Sequence, residues 1–398
     1  MLSENNKAVF EILKSSVFHA DARLPQAINW NDVFDEMSAQ TVTSVAYEWV
    51  ENSSAVDADV KQLWKNRLIA QISNWMRIMF EQESLFMLLK EKGIQAAVLK
   101  GTAASVNYPK PEYRVMGDVD FLVKKEDFQR TYQILLENGY SLSHPEGHVK
   151  YHITLRKNGV DFELHNAPAG MPSGKACKVL EALMNEGLDQ AEIKEIESFS
   201  FPVLPRLQNG LVLLLHIVKH LHGGMGIRQI MDWMLFADKN LPDEVWCSEF
   251  QPVLKEVGLE ELAIVVTRMC QIYLGLGDGH ITWCASADDT LCENLLNYFM
   301  DQGNFGRKTG ENDKGVRVLT GSKDGQGFFS RLQENGKRNW KLPEKYAALN
   351  SFAWCYQIIR YIRLALGREK PVATLLKEMS ISRKRKKMFD QLQIYQSE

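Results

Sequence analysis

Between Asp57 and about Lys90 the chain runs without glycine or proline, and Val60, Trp64, Leu68, Ile72, Trp75 and Met79 recur at three- and four-residue steps. That period lays one apolar stripe along a long helix with Asp57 at its N-cap, and the stripe is expected to pack against the next part of the chain. Residues 1–92 read as helical. From residue 93 the period changes. Ile94–Leu99 is a short apolar run ended by Lys100-Gly101-Thr102, and a short helix is expected over Thr102–Asn107 before Pro109 and Pro111 enforce a loop. Gly117–Val123 reads as a strand. Glu126–Asn138 reads as a helix with Phe128, Tyr132 and Leu135 inward, closed by Gly139. Tyr151–Arg156 and Val160–His165 read as strands around Asn158-Gly159, a type I′ hairpin signal. The order strand–helix–strand–helix–strand–strand predicts a small mixed-sheet core in an α+β fold. Helical periods return over Leu207–His222, Arg228–Asp238, Glu260–Leu274, Leu291–Asp301 and Ser351–Leu366. Three regions are expected: N-terminal helices over 1–92, a core over 93–170 and C-terminal helices over 171–398. Within the last, Gly303–Gly327 is rich in glycine and charge and reads as a long loop.

The bulk composition narrows the partners. A chain of 398 residues suits two or three domains. A net charge of −3 draws the protein to neither nucleic acid nor membrane. The six cysteines, at 177, 247, 270, 284, 292 and 355, form no CxxC pair, which argues against a zinc ribbon or a disulfide scaffold and fits a reducing cytosol. The start, MLSENNKAVFEILKSS, lacks the basic and apolar blocks of a signal peptide, and the most apolar run, Leu211–Val218, is far too short to span a bilayer. A cytoplasmic location is the expectation.

Candidate chemistry centres on Asp118 and Asp120. Two positions apart on a strand, they share a face, while Val119 and Phe121 turn to the other. Converging carboxylates repel unless a cation lies between them, and hard oxygen donors suit Mg²⁺ together with substrate phosphates. Lys100-Gly101-Thr102 stands at a strand end and helix start, where glycine lets backbone approach a phosphate, lysine adds charge and threonine a hydroxyl. Glu163, on the hairpin strand, offers a third carboxylate, but Asp161 shares its face and the pattern does not choose between them. Arg114 stands just before the Asp-x-Asp strand, placed to clamp a phosphate.

The order Leu99-Lys100-Gly101-Thr102, Arg114-x-x-Gly117-Asp118-x-Asp120 and Glu163-Leu164-His165 resembles the polymerase-beta-like nucleotidyltransferase superfamily, and more closely a poorly characterised bacterial family within it. The resemblance covers about residues 93–166, and more loosely the helices to about 240. It implies a nucleotidyltransferase core with two Mg²⁺ ions (Mn²⁺ as a substitute) held by Asp118, Asp120 and Glu163. Lys100, Gly101, Thr102, Arg114 and Gly117 would meet the nucleotide. It also implies attack by an acceptor hydroxyl on the α-phosphorus of an NTP such as ATP, with pyrophosphate leaving. Lys-Gly-Thr departs from the commoner Gly-Gly-Ser or Gly-Ser turn. The acceptor and the oligomeric state are not readable, and γ-phosphoryl transfer would use similar chemistry.

Other signals carry less. His216 and His220 share a helix face and, with His222 and Asp232 following, offer an alternative metal-hydrolase reading, although no glutamate follows His216 as in zinc proteases. His220 and Arg228 are expected instead as nucleotide contacts from the helical region. A catalytically inactive nucleotide- or protein-binding module is the other rival. His144, His148 and His152 repeat every four residues, but Pro145 and Gly147 break any helix there. The basic run Arg383–Lys387 lacks the interleaved aromatics of a nucleic-acid surface.

Overall fold

The computed structural model describes residues 2–143, 152–221, 224–304 and 308, with positions 333, 336–337, 339–340, 349–366 and 384–396. His144, His148, His222, Arg383 and nearly all of Gly303–Gly327 lie outside the described residues. The chain divides into two units, Met1–Thr309 with Leu392–Glu398, and Gly310–Gln391.

Three short helices, α1 (Glu4–Phe18), α2 (Trp30–Ala39) and α3 (Tyr47–Asn52), precede α4, which runs for 34 residues over Ala58–Glu91. Of the predicted stripe, Val60, Trp64, Leu68, Trp75 and Met79 are buried and Ile72 is half-buried. Asp57 takes the N-cap position, though its side chain makes no capping bond.

The core sheet has seven strands: β1 (Ala96–Val98), β2 (Asp118–Val123), β3 (Ser141–Leu142), β4 (His152–Lys157), β5 (Val160–His165), β6 (Glu192–Ile196) and β7 (Phe199–Val203). Their order is β3-β4-β5-β2-β1-β7-β6. The β4–β5 hairpin turns at Asn158 and Gly159, both at positive φ, as a type I′ turn requires. The sheet is mixed: β2 pairs antiparallel with β1 and parallel with β5. One face is apolar. Val119, Phe121, Val123, Leu155, Phe162 and Leu164 join Trp75, Met79, Phe86 and Leu89 of α4 in one core. Helix α6 (Phe128–Glu137) adds Leu135 to it, and α5 is a single turn over Thr102–Ser105. The strict alternation along β2 and β5 leaves the opposite face to Asp118, Asp120, Asp161 and Glu163.

The sheet does not stop at residue 170, where the sequence pattern closes the core. After α7 (Gly174–Asp189), β6 and β7 return to it, and β7 runs parallel to β1 through Val98 and Val203. The pattern does not reveal this hairpin. Glu192-Ile193-Lys194-Glu195-Ile196 is charged, and Pro202 argues against a strand inside a sheet. The N-terminal helices, the sheet and most C-terminal helices share one unit.

Over the polar face lie α8 (Arg206–Leu221) and α9 (Ile227–Asn240). They are followed by α10 (Asp243–Val245), a π-helical turn (Trp246–Phe250), α11 (Gln251–Val257), α12 (Glu260–Leu274) and α13 (Asp289–Gln302). In the second unit, Trp340 stacks on Tyr356 of α14 (Ala353–Leu366), and Asn339 Nδ2 donates to Gln357 Oε1 at 3.0 Å.

Candidate active site

The parallel register of β2 and β5 sets Asp118 beside Asp161 and Asp120 beside Glu163. Backbone alone therefore builds a two-by-two array of carboxylates. The array is not uniform. Asp161 is taken by Arg156, whose Nε and Nη2 donate to it at 2.7 and 2.6 Å, and by Ser143 Oγ at 3.0 Å. Glu163 instead turns toward His165, the residue that also bonds Asp120. Of the two acids that the pattern leaves open, Glu163 is therefore the one that joins Asp120.

His165 closes the Glu-Leu-His motif, where the sequence gives it no role, and it sits at the centre. Its Nε2 hydrogen-bonds Asp120 Oδ1 at 3.0 Å and lies 3.3 Å from Glu163 Oε2. One ring proton cannot serve both carboxylates well, and Glu163 Oε2 is left buried without a hydrogen-bond partner. Asp120 Oδ2 also pairs with Lys100 Nζ at 2.8 Å. Among the described residues, Asp120, Glu163 and His165 are the group placed to hold a metal ion, each with a ligand atom within 4.8 Å of the others.

Electrostatics divide the two aspartates. Asp118 is pushed up to about 6, chiefly by the Asp120 charge and then by burial. Asp120 is held well below the carboxylate range: burial opposes its charge, but Lys100 and His165 outweigh it. Burial likewise opposes the Lys100 ammonium, and Asp120, Asp118 and Glu163 more than offset it, so its pKa is raised. One aspartate thus has its counter-ions and the other has none comparable.

Lys100 reaches the site because β1 ends just before it and Gly101 turns the chain at φ +60°, ψ −110°, a conformation that favours glycine. The Thr102 hydroxyl, expected at the phosphate, is directed into the core and donates to Gln82. Arg114, expected as a phosphate clamp, lines the cavity but has two of its guanidinium nitrogens bonded to Asp232. Its Nε and Nη2 donate to Asp232 at 2.8 and 2.7 Å, with Tyr108 Oη donating to the same carboxylate at 2.8 Å. This buried fork ties the segment before β2 to α9. Three further bonds hold that segment: Gln71 Nε2 to Arg114 O at 3.0 Å, Asn74 Nδ2 to Met116 O at 2.9 Å, and Arg228 Nη1 to Val115 O at 2.7 Å. Gly117 follows, immediately before β2.

A cavity of about 100 Å³ joins these groups. Lys100, Gly101, Asp118, Asp120 and Glu163 line one side, and His216, Lys219, His220 and Arg228 the other. His220 and Arg228, the two residues expected from the helical region, therefore line the same cavity as the carboxylates. Lys219 joins them without having been singled out by the pattern, although its i, i+3, i+4 spacing with His216 and His220 on an otherwise apolar helix is a readable signal. Burial lowers the Lys219 pKa, as does Lys100. The two histidine rings meet edge to face with centroids 4.6 Å apart, and burial keeps both neutral, His220 near 3. Among the described residues no carboxylate joins them in a three-ligand group, and His222 lies outside those residues.

The cleft brings three carboxylates together with four cations, Lys100, Arg114, Lys219 and Arg228, of which Arg114 is already paired with Asp232. That arrangement can hold divalent ions against a polyphosphate. Comparison with curated proteins gives no match. Among solved structures the chain is similar to an antigenic nucleotidyltransferase-like protein from Paracoccidioides brasiliensis. The identity is 14%, the likeness covers 52% of this chain and 96% of that one, and the TM-score is 0.33. A family model described as "Uncharacterised nucleotidyltransferase" matches residues 26–275, well over half of the chain. The protein belongs to that nucleotidyltransferase family.

Proposed function

We propose that the protein transfers a nucleoside monophosphate from an NTP, ATP being the first candidate, to an acceptor hydroxyl with Mg²⁺ as cofactor. The observation that carries this reading is one small cavity in which Asp118, Asp120 and Glu163, with Lys100 beside them, face Lys219 and Arg228. The donor set fits divalent ions: hard carboxylate oxygens, one of them buried without a hydrogen-bond partner, with an imidazole at the rear. Asp118, Asp120 and Glu163 would hold the ions, and His165 would orient Asp120 and Glu163 from behind. When bound, the ions supply charge neutralisation at the α-phosphate.

The chain's own groups do the rest. Lys100 and Lys219 face the β- and γ-phosphates and receive the charge that develops on pyrophosphate. Gly101 lets the backbone approach them. The Arg228 guanidinium is fixed at one end on Val115 O, while its Nε is buried without a hydrogen-bond partner, so it has a donor left for a phosphate oxygen. Glu163 is the base nearest an incoming hydroxyl. Positioning and preorganised charge supply most of the rate.

The test is thermal denaturation with nucleoside triphosphates, with and without Mg²⁺, on wild type and on Asp118→Asn/Asp120→Asn. A Mg²⁺-dependent rise, about 2.7 kcal/mol at a hundredfold excess over Kd, lost in the double variant, supports the reading. No shift at millimolar triphosphate, with wild type folded, would sink it.

A further inference from the structure

The partition formed by Met116, Asp118, Glu163 and Arg228 has a second side. A larger groove, of about 690 Å³, shares these four residues with the catalytic cavity. Its other walls are the end of α2 with the turn that follows, which brings Ser38, Thr41, Thr43 and Ser44, and α4, which brings Arg67, Ala70, Gln71 and Asn74. Part of that polar wall is committed. Gln71 and Asn74 hold the segment before β2, and Thr41 Oγ1 donates to Gln40 O at 2.7 Å. Two hydroxyls are not. Ser38 Oγ and Ser44 Oγ are buried with no hydrogen-bond partner, Ser44 being only 1% exposed. A buried hydroxyl left unpaired is costly, and a ligand that pairs with it recovers that cost on binding.

Resting on the transferase reading, we infer that this groove is the acceptor site and that the acceptor is a small, non-aromatic polyhydroxylated molecule of the sugar or cyclitol type. In-line displacement puts the attacking and leaving oxygens on opposite sides of the α-phosphorus. With Lys100 and Lys219 collecting the leaving pyrophosphate in the small cavity, the attacking oxygen comes from the other side of the partition. That side is this groove. Its volume is that of a small-molecule site. Aromatic rings are absent among its described lining residues, so nothing there stacks a base or a nucleoside. Beyond the shared Arg228 it adds one cation, Arg67, too little to track a nucleic-acid backbone. In the transfer, the acceptor oxygen bonds to the α-phosphorus and the bond from that phosphorus to the β-bridging oxygen breaks. Pyrophosphate departs, and the hydroxyl proton passes to Glu163.

The test supplies the full-length protein with Mg²⁺, α-labelled NTPs and a panel of hexoses, pentoses and inositol, alongside nucleosides, a short RNA and no acceptor. Products are identified by mass. The expected result is a nucleotidyl–polyol adduct, with transfer falling at least tenfold in Ala70→Trp, which fills the groove from the exposed face of α4, and in Ser44→Val. Triphosphate binding is read separately on each protein by thermal shift, which also reports folding. If triphosphate binds but label goes to nucleoside, RNA or water, or to none of the panel, the acceptor class is wrong and the transferase reading stands. If a polyol is labelled equally well by folded Ala70→Trp, the groove is the wrong site. Absence of triphosphate binding in wild type overturns both readings together.

Discussion

Asp118 and Asp120 stand two positions apart on one strand yet make opposite demands on stability. Asp120 holds Lys100 and His165 in place, whereas Asp118 mainly repels Asp120. In metal-free protein at pH 7, Asp118→Asn is expected to raise stability by about 1–3 kcal/mol, since one pKa unit corresponds to about 1.36 kcal/mol. Asp120→Asn is expected to lower it by about 3–5 kcal/mol, because it leaves a buried ammonium without its partner. Denaturant titration distinguishes the two, and equal losses in both variants would contradict the charge assignment. Added Mg²⁺ should stabilise wild type alone, which shrinks the advantage of Asp118→Asn over it and enlarges the deficit of Asp120→Asn. Glu163→Gln tests chemistry rather than folding: it removes the base and one ligand of the ions, so transfer should fall by at least about 10²–10⁴, the usual contribution of a positioned base, and Mg²⁺-dependent triphosphate binding should weaken. The legible residues are those whose placement follows from strand alternation: Asp118 and Asp120 on one face of β2, and Glu163 on the matching face of β5. Thr102 turns its hydroxyl away from the cavity, and Arg114 lines the cavity with its guanidinium already bonded to Asp232, because a hydroxyl or guanidinium beside a motif says nothing about its partner. Gln82 lies 20 positions from Thr102 and Asp232 lies 118 from Arg114, and local sequence carries no trace of either pairing.

At the scale of elements, the segment before β2 is held by α4 and α9 together, and the Arg114–Asp232 fork is its strongest tie. Asp232→Asn is expected to cost about 3–5 kcal/mol and to weaken triphosphate binding by letting Arg228 shift with the segment. Arg114→Lys should recover little, because a lysine cannot reproduce the two-point geometry. Helix α8 adds a pH dependence. His220 sits near 3 when folded, below its ordinary 6.5, so the native state binds fewer protons than the unfolded chain between those values. Its contribution to stability is complete above about 6.5 and is lost as pH falls toward 3. Asp118 acts in the opposite sense: its folded value near 6 means that its ionisation penalty is relieved as pH falls through 6. Stability measured from about pH 7 to about pH 4 should therefore fall less steeply in His220→Gln than in wild type and more steeply in Asp118→Asn. Helices with a clean apolar period are legible at this scale, α12 to the residue. The β6–β7 hairpin is not, because its charged outer strand and its proline hide a partner supplied by β1, about a hundred residues earlier in the chain.

For the whole molecule, that hairpin has consequences for synthesis. Val98 faces Val203, so the edge of β1 opposite β2 stays bare until the chain has been made at least to residue 203. By then all three carboxylates and α4 have long left the peptidyl-transferase centre. A nascent chain at residue 170 thus carries a nearly complete acidic array on a sheet with an open edge, a template for pairing with other chains. A chain truncated at 170, the boundary that the sequence pattern suggests, should aggregate when expressed, whereas one extended past α9 should remain dispersed; light scattering on the two distinguishes them. The acids are in place before the strand that seals their sheet, so the interval between them is when this protein depends most on a chaperone, or on nothing else being nearby.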